Sequence, residues 1–148
     1  MSFLIRNARE SDLPRLLELE RACFSVPWTE DMLRRQMAPG QNVFLAAETE
    51  GTVAGYVGLL YVLDEGYISN VAVAPAYRRR GVGDALLGAL EARAREKSLA
   101  FLTLEVRESN VPARALYAKH GYLDVGRRKN YYKKPREDAI LMTKELEI

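Results

Sequence analysis

One cysteine, Cys23, and one histidine, His120, are all that this 148-residue chain carries of either type. A lone cysteine excludes an internal disulfide and a cysteine-rich metal centre, and it fits a reducing compartment. Without a second histidine a two-histidine metal site has no ligands. His120 stands near the end of a predicted helix, where a cation is favourable, and is read as structural; no metal is expected. An excess of one charge is also lacking, since 22 Lys and Arg face 20 Asp and Glu for a net charge of +2. Bulk electrostatics therefore give no reason to expect a DNA partner. No stretch is apolar for long enough to span a bilayer, and no cationic-then-apolar leader opens the chain. A soluble, cytoplasmic protein without a membrane partner is the expectation. Repeats, low-complexity tracts and linkers are absent too, so residues 1–148 are expected to form a single domain, burying about two thirds of the unfolded surface.

What is present reads as alternating helices and strands. Phe3 to Asn7 predicts a first strand. Ser11 or Asp12 then caps a helix to about Phe24, with Pro14 in its first turn and Leu13, Leu16, Leu17, Leu19 and Ala22 on its apolar side. Ser25-Val26-Pro27-Trp28 interrupts, and Thr29 caps a second helix through about Met37, closed by Pro39-Gly40. The β-rich runs Val43 to Thr49 and Thr52 to Val62 flank Glu50-Gly51, a hairpin turn, and a second turn falls at Asp64-Glu65-Gly66.

The next stretch, YISNVAVAPAYRRRGVG from Tyr67 to Gly83, organises the rest. Ile68, Val71 and Val73 favour a strand, Pro75 ends it because it has no donor for a ladder, and Gly81 and Gly83 leave backbone N–H groups uncovered. Val82, Ala85, Leu86, Ala89 and Leu90 line one face of the following helix, which packs on the sheet and aims its N-terminus at the turn. Free N–H donors, the positive end of the helix dipole and Arg78, Arg79 and Arg80 beside it make an anion site. It is not a Walker A loop, which needs Gly-Lys-Ser/Thr, nor a dinucleotide fingerprint, which needs a glycine where Leu86 stands.

Leu99 to Val106 predicts another strand, whose alternation puts Leu102, Leu104 and Val106 on one face and Phe101, Thr103 and Glu105 on the other. A carboxylate in such an apolar run calls for a partner or a task. Asn110 caps a helix to about His120, ended by Gly121, and the strands Tyr122 to Gly126 and Ala139 to Leu146 close the chain around a long polar loop. The class is mixed α/β. A right-handed strand–helix–strand crossover over residues 67–106 makes two strands parallel, and ligands bind at the carboxyl ends of such pairs. Arg78 to Gly83 and Glu105 to Asn110 both lie there.

The spacing Arg78-x-x-Gly81-x-Gly83 resembles the acetyl-coenzyme A signature of the GNAT superfamily of N-acetyltransferases. VAVAPAYRRRGVGDALL, LEVRESNVPARALYAKHGY, VPWTEDM and RRKNYYKKPREDAILM extend the likeness over nearly the whole chain, to the bacterial ribosomal-protein-alanine N-acetyltransferases. The resemblance implies the GNAT acyl-CoA N-acyltransferase fold: a mostly antiparallel sheet with a parallel pair splayed at the acetyl-CoA site, flanked by about four helices. It implies acetyl-CoA as donor and a protein N-terminus, on a ribosomal protein, as acceptor. By carry-over, the backbone of Val71, Ala72 and Val73 holds the acetyl and pantetheine end. Arg78, Arg79, Arg80, Gly81, Val82, Gly83 and Asp84 hold the pyrophosphate, and Asn110 the pantetheine arm. Glu105 matches the general base and Tyr117 the general acid.

Those residue types suit the chemistry independently. An ammonium cannot attack a thioester, and an α-amine with a pKa near 8 is about one-tenth neutral at pH 7, so a carboxylate acting directly or through one water suffices. A phenol can donate to the departing sulfur. The residues also admit plainer readings: Glu105 paired with Arg107, Tyr117 as a core aromatic, Asn110 only as an N-cap. Asp84 suits the helix dipole but would repel a pyrophosphate, so its side chain is expected to point away. The loop Arg127 to Arg136, RRKNYYKKPR, is read as a lip on the acceptor side with Tyr131 and Tyr132 flanking a peptide; a nucleic-acid patch and a merely solvated loop stay open. A GNAT enzyme for small amines and a non-catalytic coenzyme A module are the alternative functions.

Overall fold

A computed structural model describes residues 2–146. Thirteen elements follow one another. They are β1 (Leu4–Asn7), a 3₁₀ turn (Glu10–Asp12), α1 (Leu13–Cys23), α2 (Glu30–Met37), β2 (Asn42–Thr49), β3 (Thr52–Val62), β4 (Glu65–Val73), a 3₁₀ turn (Pro75–Tyr77), α3 (Val82–Glu96), β5 (Phe101–Arg107), α4 (Val111–Lys119), β6 (Leu123–Lys133) and β7 (Arg136–Glu145). The seven strands form one sheet in the order β1-β2-β3-β4-β5-β7-β6, antiparallel throughout except at β4 and β5.

That parallel pair positions the site. Its register runs only through Glu65–Phe101, Gly66–Leu102 and Tyr67–Thr103. Immediately beyond, Leu59 of β3 faces Ile68 while Gly58 faces Asn70, so Ser69 is an extra residue that bulges β4. A bulge bends its strand and increases local twist. β4 thus leaves β5, which stays paired with β7 as far as Arg107–Ala139, and a fork opens in the middle of the sheet.

Each face of the sheet has its own core. Val82, Leu86, Leu87 and Leu90 of α3 pack on Val57, Ile68, Leu102, Leu104 and Val106, while Leu13, Leu16 and Leu19 of α1 and Leu33 of α2 cover Phe44, Ala46, Tyr56 and Ala72 on the other side. Gly55 of β3 lets α3 approach: a Cβ there would meet the Ala72 carbonyl oxygen at 2.6 Å and Val82 Cγ1 at 3.1 Å. Because the obstacle is backbone, Gly55→Ala is expected to cost about 1–3 kcal/mol in urea unfolding. An unchanged midpoint would show that β3 and β4 shift apart freely.

Several expectations need correction. Arg127 to Arg136 is no long loop, since β6 runs to Lys133 and a tight turn joins it to β7. Its residues are exposed on both faces except Tyr132, so the strand carries no apolar alternation, and its pairing with β7, shifted between Arg128 and Tyr132, is made by the backbone. Cations along such an edge strand also discourage edge-to-edge association. Asp12 does not cap α1: its carboxylate turns back to the Arg9 N–H at 2.8 Å and grips Arg6 in a two-pronged pair at 2.8 and 2.9 Å. Ala22 faces solvent, and Glu20 takes a wholly buried place instead. The β3–β4 turn lies at Leu63-Asp64, with Glu65 already paired to Val62.

Candidate active site

The fork exposes one edge of β4. Ala74 N–H bonds to the Ala54 carbonyl of β3 at 2.8 Å, so by period-two alternation the backbone groups of Val71 and Val73 point the other way, into the fork. The Val73 carbonyl there accepts from Arg78 Nε at 3.2 Å and Cys23 Sγ at 3.4 Å.

Past the 3₁₀ turn the chain enters the left-handed region twice, at Arg79 (φ 63°) and Gly81 (φ 86°), before α3 begins. Alternating hands of this kind gather successive N–H groups into an anion-binding concavity. From Arg79 to Asp84 none of the backbone N–H groups has a backbone acceptor among the described residues. Arg78, Arg79 and Arg80 are exposed beside them. A Cβ on Gly81 would meet open space, so its glycine serves the positive φ; a Cβ on Gly83 would sit 2.8 Å from Leu116 Cδ2, so that glycine lets α4 close against the first turn of α3. The two glycines therefore have different duties.

The Asp84 carboxylate turns to the end of α4, 2.9 Å from His120 Nε2 and 3.1 Å from Lys119 Nζ. His120, then Lys119, hold its carboxyl below the ordinary aspartate range. A lowered value in the folded state adds stability above the ordinary aspartate pKa, lost as pH falls through the folded value. Asp84→Asn is therefore expected to flatten the acid limb of the stability profile while changing acetyl-CoA affinity less than about tenfold. Calorimetric titration of the variant reads the second part; much tighter binding would mean that the native carboxylate faces the anion.

Glu105 lies on the β5 face opposite Leu104 and Val106, with its side chain only 6% exposed. It receives a hydrogen bond from the Tyr67 hydroxyl, and Arg128 Nε approaches to 3.8 Å. Burial first, and the neighbouring carboxylate second, push both the Tyr67 and Tyr131 hydroxyls above the usual phenol range, so both stay protonated donors beside Glu105. Arg107 is engaged elsewhere. Its guanidinium meets Glu137 Oε1 at 3.2 Å, the Pro135 carbonyl at 2.9 Å and Ser25 Oγ at 3.4 Å, and lies 4.3 Å from the Tyr132 ring centre. This one residue joins the β6–β7 turn to the α1–α2 connection.

Tyr117 lies on the opposite face of β5 from Glu105, packed in the core that includes Leu104 and Val106 and edge-on to Tyr122 at 5.9 Å. Burial raises its hydroxyl above the usual range, and among the described residues that hydroxyl has no hydrogen-bond partner. The Asn110 side chain accepts the Ala113 N–H at 3.2 Å, so it is an N-cap in this structure, with its amide NH₂ left over. Tyr131 and Tyr132 meet edge to face at 5.1 Å on β6. Tyr132 is held under Arg107, its hydroxyl pushed up to about 12 chiefly by burial. Tyr67 and Arg128 went unread in the sequence. Tyr67 opposes Thr103, which shares a strand face with Glu105, a neighbourhood that only the β4–β5 register reveals.

A forked sheet with an amide-lined helix tip at one strand end and a sealed carboxylate at the other defines a class, and the family model for the acetyltransferase (GNAT) family matches residues 13–122. The chain belongs to that family. It is 38% identical over 142 residues to the Haemophilus influenzae [ribosomal protein bS18]-alanine N-acetyltransferase, spanning 94% of this chain and 96% of that one. The Escherichia coli protein of the same name is 36% identical over 140 residues, 93% and 94% of the two chains. The crystal structure of the Escherichia coli ribosomal-protein-alanine N-acetyltransferase superposes with a TM-score of 0.91 at 33% identity, covering 99% of this chain and 96% of that one. Mixed α/β architecture, the splayed parallel pair and four α-helices among the described residues match the fold expected from the resemblance.

Proposed function

We propose that this chain, acting as a single domain in the cytoplasm, transfers the acetyl group of acetyl-CoA to the α-amine of a protein N-terminus, an N-terminal alanine on ribosomal protein bS18. The observation that carries this reading is the sealed Glu105 carboxylate at a fork whose other arm presents free N–H groups. The residues suit the donor: the N–H fan from Arg79 to Asp84, with Arg78 to Arg80 around it, fits a pyrophosphate, and the open edge at Val71 to Val73 fits an amide-bearing arm.

In the proposed reaction Glu105 takes a proton from the incoming ammonium, directly or through one water. The neutral nitrogen then forms a bond to the acyl carbon, and the bond from that carbon to sulfur breaks. The Val71 N–H, facing the fork, supports charge that develops on the acyl oxygen. As the amide forms, the nitrogen gives up its remaining extra proton to water, and the coenzyme leaves as a thiolate that accepts a hydrogen bond from the Tyr117 O–H and takes a proton back from solvent. The aromatic pair Tyr131 and Tyr132 on β6 forms one wall of the acceptor's entrance, with Arg107 anchoring it.

The test is release of free thiol from acetyl-CoA with a panel of acceptors. A peptide with a free N-terminal alanine is expected to react, and the same peptide blocked at its N-terminus is expected not to. Preference for a polyamine or another small amine would overturn the protein acceptor. Coenzyme binding without release from any acceptor would reduce the chain to a binding module.

A further inference from the structure

Glu20 on α1 is wholly buried, and none of its contacts is a cation among the described residues. Its carboxylate accepts the Trp28 N–H at 2.7 Å through one oxygen and Asn70 Nδ2 at 2.8 Å through the other. Burial raises its carboxyl above the ordinary glutamate range, and the two donors only partly offset this. A carboxylate held on two neutral donors in an apolar core is costly, and the helix face it occupies is otherwise leucine.

Its two partners lie on two different elements, the α1–α2 connection and β4. Trp28 belongs to the connection between α1 and α2, whose Ser25 receives Arg107 from the end of β5 and whose Val26 is exposed. Asn70 follows the β4 bulge and immediately precedes Val71, the first residue whose backbone faces the fork. Asn70 is further held by the Tyr56 hydroxyl at 3.3 Å, beneath the stacked Phe44 ring. One carboxylate therefore ties the α1–α2 connection to the strand edge.

We infer that Glu20 is a positioning residue for the acceptor: by fixing the α1–α2 connection against β4, it sets where an incoming N-terminus lies relative to the acyl carbon. This rests on the N-terminal acetylation reading. Glu20 itself touches neither substrate. Loss of the tie leaves α3 and its N–H fan undisturbed, because they pack on the opposite face of the sheet. On the near side, Val71 to Val73 keep their place through the ladder to Gly55, Tyr56 and Val57 of β3, so the effect falls chiefly on the α1–α2 connection.

Steady-state kinetics of the full chain test this, with an N-terminal-alanine peptide and acetyl-CoA varied separately. Glu20→Leu removes both acceptors and is expected to raise the peptide KM about tenfold or more, from the loss of two buried hydrogen bonds. The acetyl-CoA KM should stay within about twofold, because the ladder to β3 holds Val71 to Val73 and the N–H fan lies on the other face of the sheet. Glu20→Gln keeps an oxygen for Trp28 and offers its NH₂ to Asn70 once that amide turns over, so it is expected to restore most of the peptide KM. Asn70→Ala cuts only the strand end of the tie and carries the same expectation as Glu20→Leu, which keeps the test open should the latter not fold. An unchanged peptide KM in folded Glu20→Leu or Asn70→Ala would overturn the inference. So would a parallel rise in both KM values, or a Glu20→Gln variant as impaired as Glu20→Leu. Wild-type chain assayed alongside separates the two levels: no transfer by wild type defeats the functional reading itself, whereas normal wild-type transfer with an unmoved variant KM defeats only the role of Glu20.

Discussion

Glu105→Gln is expected to lower kcat about a hundredfold at pH 7, the lower end of what a positioned general base contributes. Acetyl-CoA affinity should stay within about twofold, because the fan at the tip of α3 does not involve this side chain. Glutamine preserves the shape and still accepts the Tyr67 hydroxyl, so the loss isolates the proton-accepting role. The pH profile carries the sign. Below an α-amine pKa of about 8 most acceptor is ammonium, and its neutral fraction rises about tenfold per pH unit. A variant without a base depends on that fraction alone. Its deficit against wild type should therefore shrink as pH rises from 7 to 9, as measured by thiol release. A constant deficit across that range would assign Glu105 to binding or orientation instead.

Tyr117→Phe is expected to cost about ten- to a hundredfold in kcat, the range for a donor to developing negative charge. Stability should change by less than about 1 kcal/mol. The second expectation follows from the structure, because the hydroxyl has no hydrogen bond to lose while the ring keeps its packing on Tyr122, Leu104 and Val106. Burial holds this phenol protonated well beyond neutral pH. In the proposed role it is therefore first a hydrogen-bond donor to the departing sulfur, and the activity it supports should persist through the ordinary phenol range. Equal losses of kcat and unfolding free energy would instead mark Tyr117 as a core residue.

The two variants also separate the two faces of β5. Glu105 stands on the face shared with Tyr67 and Arg128, whereas Tyr117 packs against the face of Leu104 and Val106. Strand alternation made Glu105's face legible in the sequence, and the strand–helix–strand unit made the parallel pair legible, since both are local patterns governed by backbone geometry. Glu105's partners were not, because Tyr67 lies 38 residues away and Arg128 lies on an edge strand without apolar periodicity. The same cause hid β6. Its cations read as loop because an edge strand exposed on both faces obeys no alternation, and only its pairing with β7 orders it. Glu20 was invisible for a different reason. In a helix already supplied with leucines, one more charged residue reads as solvent-facing, and only the fold brings Trp28 and Asn70 against it. Gly83 was read for its backbone N–H at the anion site, and Leu116 adds a packing duty for its missing side chain that no local pattern encodes.

The amide groups from Arg79 to Asp84 and the open edge of β4 are the proposed hold on acetyl-CoA. Isothermal titration of the purified chain with acetyl-CoA tests it most directly. One molecule per chain is predicted to bind, more weakly as salt screens the pyrophosphate from the three arginines and the helix tip. An absence of measurable heat and of competition by coenzyme A, at concentrations where the chain stays folded, would contradict it.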